Sequence, residues 1–80
     1  MTLEQELDEF AQQGGGRKTI RPRQGQDLEA FKATIFSLDG YANDGRLKIV
    51  RKHKEQHTGG RFIDRVTIDL TPEDWFRATE

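Results

Sequence analysis

Apolar residues recur at helical spacing in two stretches of this chain and alternate with polar residues in two others. Leu3, Leu7 and Phe10 mark the first helical stretch. Ahead of them Thr2 and Gln5 fit a capping box, in which the hydroxyl accepts from an early helical amide while the glutamine reaches back. Glu4, Glu6, Asp8 and Glu9 suit the positive end of a helix dipole. The pattern predicts a short acidic helix from Leu3 to about Gln12. Gly14-Gly15-Gly16 ends it, because three glycines lose too much backbone entropy to continue a helix.

Arg17 to Arg23 is basic and extended, since Pro22 biases Arg21 away from helical backbone. Ile20 is its one large apolar residue, which predicts a basic arm or an edge strand. Gln24-Gly25-Gln26 reads as a turn and Asp27 as an N-cap. Leu28, Phe31, Ile35 and Leu38 then fall at helical spacing. They predict a central helix that ends at Asp39-Gly40, where glycine takes the left-handed cap. The competing assignment is a strand over Lys32 to Leu38, because Thr34, Ile35 and Phe36 are strand formers.

From Arg46 to Leu70 the period changes to two, with a polar turn in the middle. Leu47 and Ile49 share one face; Arg46, Lys48, Val50, Lys52 and Lys54 share the other. In the second strand Phe62, Val66, Ile68 and Leu70 share a face with Asp64 as the exception, and Arg61, Ile63, Arg65 and Thr67 take its reverse. Placing Ile49 opposite Val66 puts Leu47 opposite Ile68 and Arg51 opposite Asp64, which pairs apolar with apolar and charge with counter-charge. Thr71-Pro72-Glu73-Asp74 then reads as an N-cap, a proline at the first helical position and two acids in the first turn. A two-turn helix to about Thr79 follows, with Trp75 closing the apolar face of the hairpin.

These elements predict a small α+β domain: helix, basic arm or edge strand, helix, antiparallel β-hairpin, short C-terminal helix. Residues 1–16 form an acidic helix and glycine linker able to move independently of the domain at 17–80.

Composition narrows the function classes. Only 18 of the 80 residues are Leu, Ile, Val or Phe and 34% are charged, so the core is thin, and the fold is expected to be either marginally stable or completed by a protein partner or homodimer contact. A chain this short has little room for a catalyst with its own buried pocket, and a non-enzymatic protein without a cofactor is expected. With no cysteine, neither a disulfide framework nor a thiolate metal site is available. Met1 to Gln13 carries four acids and no base, unlike a secretory or transit peptide. No apolar run exceeds two residues, so nothing is expected to span a membrane and a cytoplasmic location follows.

The net charge of -1 conceals an alternation. Residues 1–13 carry -4, 17–23 carry +4, 27–44 carry -3, 46–65 carry +5 and 66–80 carry -3. On the predicted hairpin the basic residues collect on the face opposite the core. Like charges facing across a ladder, such as Lys54 and Arg61, cost stability, and a bound polyanion would offset that cost. The plainer assignment is a solvated face that guards the sheet against edge-to-edge association. Candidate phosphate contacts are Arg46, Lys48, Lys52, Lys54, Arg61 and Arg65 on the hairpin, joined by Arg17, Lys18, Arg21 and Arg23 in the arm.

The predicted basic face has no aromatic residue, so base stacking of the single-strand-binding kind is disfavoured and DNA is favoured over RNA. His53, Glu55 and His57 invite a metal assignment, but their spacing does not fit a helical zinc motif, and Lys52 and Lys54 oppose a cation. No metal site is predicted. The expected function is a nucleic-acid-associated accessory or regulatory protein. The rival is a protein–protein adaptor that engages a partner through the acidic first helix or the hairpin edge.

Overall fold

The computed structural model describes residues 2–56 and 62–77. Its elements run α1 (Leu3–Gln12), β1 (Gly16–Ile20), α2 (Leu28–Asn43), β2 (Lys48–Lys54), β3 (Ile63–Leu70) and α3 (Pro72–Arg77). The strands form one antiparallel sheet in the order β1-β3-β2. The basic arm is therefore an edge strand, and β3 lies at the centre.

Local chemistry sets each helix start. The Thr2 hydroxyl accepts from the Gln5 amide at 3.2 Å while the Gln5 side chain accepts from the Thr2 amide at 2.9 Å, a complete capping box. Asp27 caps α2 by accepting from the Ala30 amide at 2.7 Å. Thr71 accepts from the Asp74 amide ahead of α3, where Pro72 occupies a first-turn position whose missing N–H costs nothing. The segment from Leu28 onwards is helix rather than strand, and it does not stop at Gly40. It continues to Asn43, with Asp44 as the C-cap and Gly45 in the left-handed region at φ 78°. Tyr41 and Ala42 explain the extra turn, since both pack against the core and give the helix another apolar contact beyond Leu38.

One face of the sheet makes the core. Val66, Ile68 and Leu70 alternate onto it from β3 and meet Phe31, Ile35 and Leu38 of α2, Leu7 and Ala11 of α1, and Trp75 of α3. Leu7, Phe31, Leu38, Val66, Ile68 and Trp75 are fully buried. At about 25 cal/mol per Å² of apolar surface, burying each side chain of this size stabilises the fold by roughly 1.5–3 kcal/mol. Trp75 reaches α1 as well: its indole N–H donates to Asp8 Oδ1 at 3.2 Å, and its ring meets Tyr41 edge-on at 5.2 Å.

The hairpin register differs from the alternation-based one. Ile49 pairs with Ile68 and Lys48 with Asp69, two residues away from the expected match. Val50 is then an extra residue, so Arg51 pairs with Thr67, Lys52 with Val66 and His53 with Arg65. A second shift makes Asp64 extra on β3, and Lys54 pairs with Ile63. Each extra residue reverses the alternation beyond it. Arg51 thereby moves to the outer face and Lys52 to the helix side, while Ile63 packs against the core. The expected Arg51–Asp64 pair does not form, and Asp64 is bonded to His53 instead.

Candidate functional site

The core takes one face of the sheet, and among the described residues no helix covers the other. That outer face is built from three rows across the strands. Arg17, Asp69 and Lys48 are register partners in the first, and Thr19, Thr67 and Arg51 in the second. The third contains Arg65 and His53, with the extra residue Asp64 beside them.

Arg17 grips Asp69 with two hydrogen bonds, Nε to Oδ1 at 2.9 Å and the terminal nitrogen to Oδ2 at 3.2 Å. This forked contact lowers the Asp69 carboxyl below its ordinary value, with the positive charges of Arg17 and Lys48 acting in the same direction. The same bond raises the Arg17 guanidinium. At the other end His53 Nδ1 donates to Asp64 Oδ1 at 2.7 Å, which lowers the Asp64 carboxyl. Both pairs are partly open to solvent, so they position side chains more than they stabilise the fold.

Between the two pairs lies a shallow depression of about 240 Å³ lined by Thr19, Arg21, Arg51, His53, Arg65 and Thr67. The Thr19 and Thr67 hydroxyls are 3.4 Å apart across the strands. Arg21, Arg51 and Arg65 form no ion pair among the described residues. Most other cations are engaged: Lys18 and Arg23 with Glu6, Arg46 with Glu4, Lys52 with Asp39 and Arg77 with Glu73. Lys32, Lys48 and Lys54 also lack an ion pair but stand elsewhere, so the arginines without a carboxylate partner among the described residues are the ones that converge on the depression.

The basic residues singled out from the sequence divide accordingly. Arg17, Lys48 and Arg65 stand on the outer face, and Arg21 lines the depression. Lys18 lies on the helix side, with its ammonium 5.3 Å from the centre of the Phe10 ring. Arg23 sits near α1, 3.4 Å from Glu6. Arg46 is nearly buried against Trp75, and Lys52 turns to α2, where Nζ meets Asp39 at 2.9 Å. Lys54 pairs with Ile63 on the helix side of the register. Arg61 lies outside the described residues.

Sequence reasoning missed Arg51 and the two threonines. The run Arg51-Lys52-His53-Lys54 has no apolar residue to fix its phase, so the extra residue at Val50 leaves no mark in the pattern. Thr19 and Thr67 are brought together only by the pairing of β1 with β3. Of the residues weighed as metal ligands, His53 is bonded to Asp64, Glu55 is buried and His57 lies outside the described residues. Among the described residues no three His, Cys, Asp or Glu side chains cluster as a metal site would require, and no helix is long and apolar enough to cross a membrane.

Compared with protein-family models, with curated proteins and with solved structures, the chain gives no match in any of the three. Function is therefore read from the chemistry of the site.

Proposed function

We propose that this chain is a non-enzymatic, nucleic-acid-associated accessory or regulatory protein that contacts phosphates through the open face of its sheet. The observation that carries this reading is the convergence of Arg21, Arg51 and Arg65 on one depression floored by the Thr19 and Thr67 hydroxyls. Guanidinium groups present forked donors suited to phosphate oxygens, and hydroxyls add donors that turn to suit the ligand. The outer face carries five cations, Arg17, Arg21, Lys48, Arg51 and Arg65, against the carboxylates of Asp64 and Asp69. The depression's volume of about 240 Å³ is less than the roughly 300–1,000 Å³ typical of small-molecule sites, which favours a ligand held by its charged edge over an enclosed substrate.

The adaptor reading through α1 draws less support. Glu6 faces Lys18 and Arg23, and Asp8 accepts from Trp75, so part of that acidic surface is spent within the chain. Titration of labelled duplex and single-stranded DNA over a range of salt concentrations tests the phosphate reading. Binding should weaken steeply with salt, with a log–log slope of about -0.9 per phosphate neutralised on duplex DNA. No binding even at low salt overturns it.

A further inference from the structure

The outer face is not an even basic strip. Along β3 its outward residues run Asp64, Arg65, Thr67 and Asp69, so a carboxylate stands at each end of the depression. The two ends differ. Asp69 lies between Arg17 and Lys48 in the cross-strand register, two cations to one carboxylate. Asp64 is held in place by His53. A phosphodiester backbone running the length of β3 would leave the depression over Asp64. A strand that ends in the depression avoids Asp64 by leaving over the cationic Arg17–Lys48 row.

The donors inside the depression also exceed what one diester uses. A phosphomonoester carries close to two negative charges at neutral pH and three strong acceptor oxygens, whereas a diester has one charge and two free oxygens. Three guanidinium groups without ion pairs and two hydroxyls match the former. The Thr19–Thr67 contact at 3.4 Å is well beyond the roughly 2.7–2.8 Å of a strong hydroxyl–hydroxyl bond, so both protons can turn to a ligand with little lost. No Phe, Tyr or Trp lines the depression, and its one ring, His53, is tied to Asp64, which favours the phosphate over a stacked base as the group recognised.

We infer that this depression seats the terminal phosphate of a nucleic-acid strand, with Arg21, Arg51 and Arg65 around the phosphoryl oxygens and Thr19 and Thr67 beneath them. The inference rests on the phosphate-binding reading above. In it, Asp64 blocks onward passage of the chain, and Arg17 and Lys48 receive the next phosphate.

One single-stranded oligonucleotide sequence, prepared with a 5′-phosphate, with a 3′-phosphate and with neither, tests this by fluorescence anisotropy. At least one phosphorylated end should bind about tenfold more tightly than the unphosphorylated strand, the scale of one or two added charge-assisted hydrogen bonds. Inorganic phosphate should compete that advantage away. Thr67→Val, which keeps the side-chain shape, and Arg51→Gln should each remove most of the difference, while unchanged thermal unfolding confirms that the fold is retained. Equal affinity for all three strands overturns the terminal-phosphate seat and leaves backbone binding standing. Failure of all three to bind at low salt overturns both. Binding of a phosphoserine peptide in preference to every oligonucleotide overturns the nucleic-acid assignment in favour of a phosphorylated protein.

Discussion

The Arg46 guanidinium carbon lies 3.7 Å from the centre of the Trp75 ring, and Arg46 Nε donates to the Trp75 carbonyl at 3.2 Å. Arg46 follows the α2 C-terminus and Trp75 belongs to α3, so this stacked contact joins two ends of the fold. The Arg46 side chain is only 11% exposed, and a cation–π contact removed from water is worth about 2 kcal/mol. Arg46→Ala should therefore lower unfolding stability by about 2–3 kcal/mol, including the lost hydrogen bond. Urea denaturation followed through Trp75, the chain's single tryptophan, measures it. Affinity for DNA and its salt slope should not change, since this cation lies away from the outer face.

Two glycines make opposite predictions. Gly15 has φ +66°, and a Cβ there would run into the Leu70 carbonyl oxygen. A left-handed conformation costs a non-glycine residue roughly 1–2 kcal/mol, and the backbone collision adds to that. Gly15→Ala should cost at least about 2 kcal/mol. Gly40 is exposed in the last turn of α2, where its backbone is still helical, and a Cβ there meets nothing within 4 Å. Gly40→Ala should stabilise the protein by roughly 0.5–1 kcal/mol, which for a domain of this size raises the thermal midpoint by about 4–8 °C per kcal/mol. Calorimetry on the two variants decides both.

The local elements were legible because their signals lie within a few residues. Thr2 with Gln5, Asp27, and Thr71 with Pro72 each mark a helix start by chemistry that acts over one turn. Where α2 ends was not legible at Gly40, because a glycine in ordinary helical geometry looks no different in sequence from one that stops a helix. The sheet was legible in kind but not in register. The match of Ile49 with Val66 and of Ile49 with Ile68 are equally apolar, and hydrophobic pairing alone does not choose between them. The extra residue at Val50 then changed which cations face outward, replacing Lys52 with Arg51. The Arg17–Asp69 and Thr19–Thr67 contacts join residues about fifty positions apart, and no local pattern encodes that distance.

Acid should weaken the fold through two named carboxylates. Hydrogen bonds from His53 to Asp64 and from Arg17 to Asp69 lower both carboxyls in the folded state. A lowered folded value means that the unfolded chain takes up protons first as pH falls. Their contribution is complete above the ordinary aspartate value of about 4 and disappears as pH drops through the lowered folded values. The variant Asp64→Asn with Asp69→Asn should show a shallower loss of stability than the parent below about pH 4. Urea midpoints across that range give the comparison, and parallel curves for the two proteins would refute it.

Arg51 and Lys52 are neighbours in sequence with opposite surroundings, and they separate surface charge from site. Arg51 pairs with Thr67 on the outer face and lines the depression, whereas Lys52 pairs with Val66 and reaches Asp39 of α2. Reversing either charge changes the net charge of the protein equally. At physiological salt, where screening acts over about 8 Å, the effect on binding should follow position and not net charge. Arg51→Glu should weaken DNA binding at least about tenfold and flatten the salt slope by about one. Lys52→Glu should leave affinity within about twofold but lower stability by up to roughly 1 kcal/mol, because it sets two carboxylates together where a partly exposed ion pair stood. Anisotropy titrations and urea melts on the two variants measure both effects. Equal losses of affinity would mean that binding reads overall charge, and the depression on the outer face would no longer be distinguished from the rest of the basic surface.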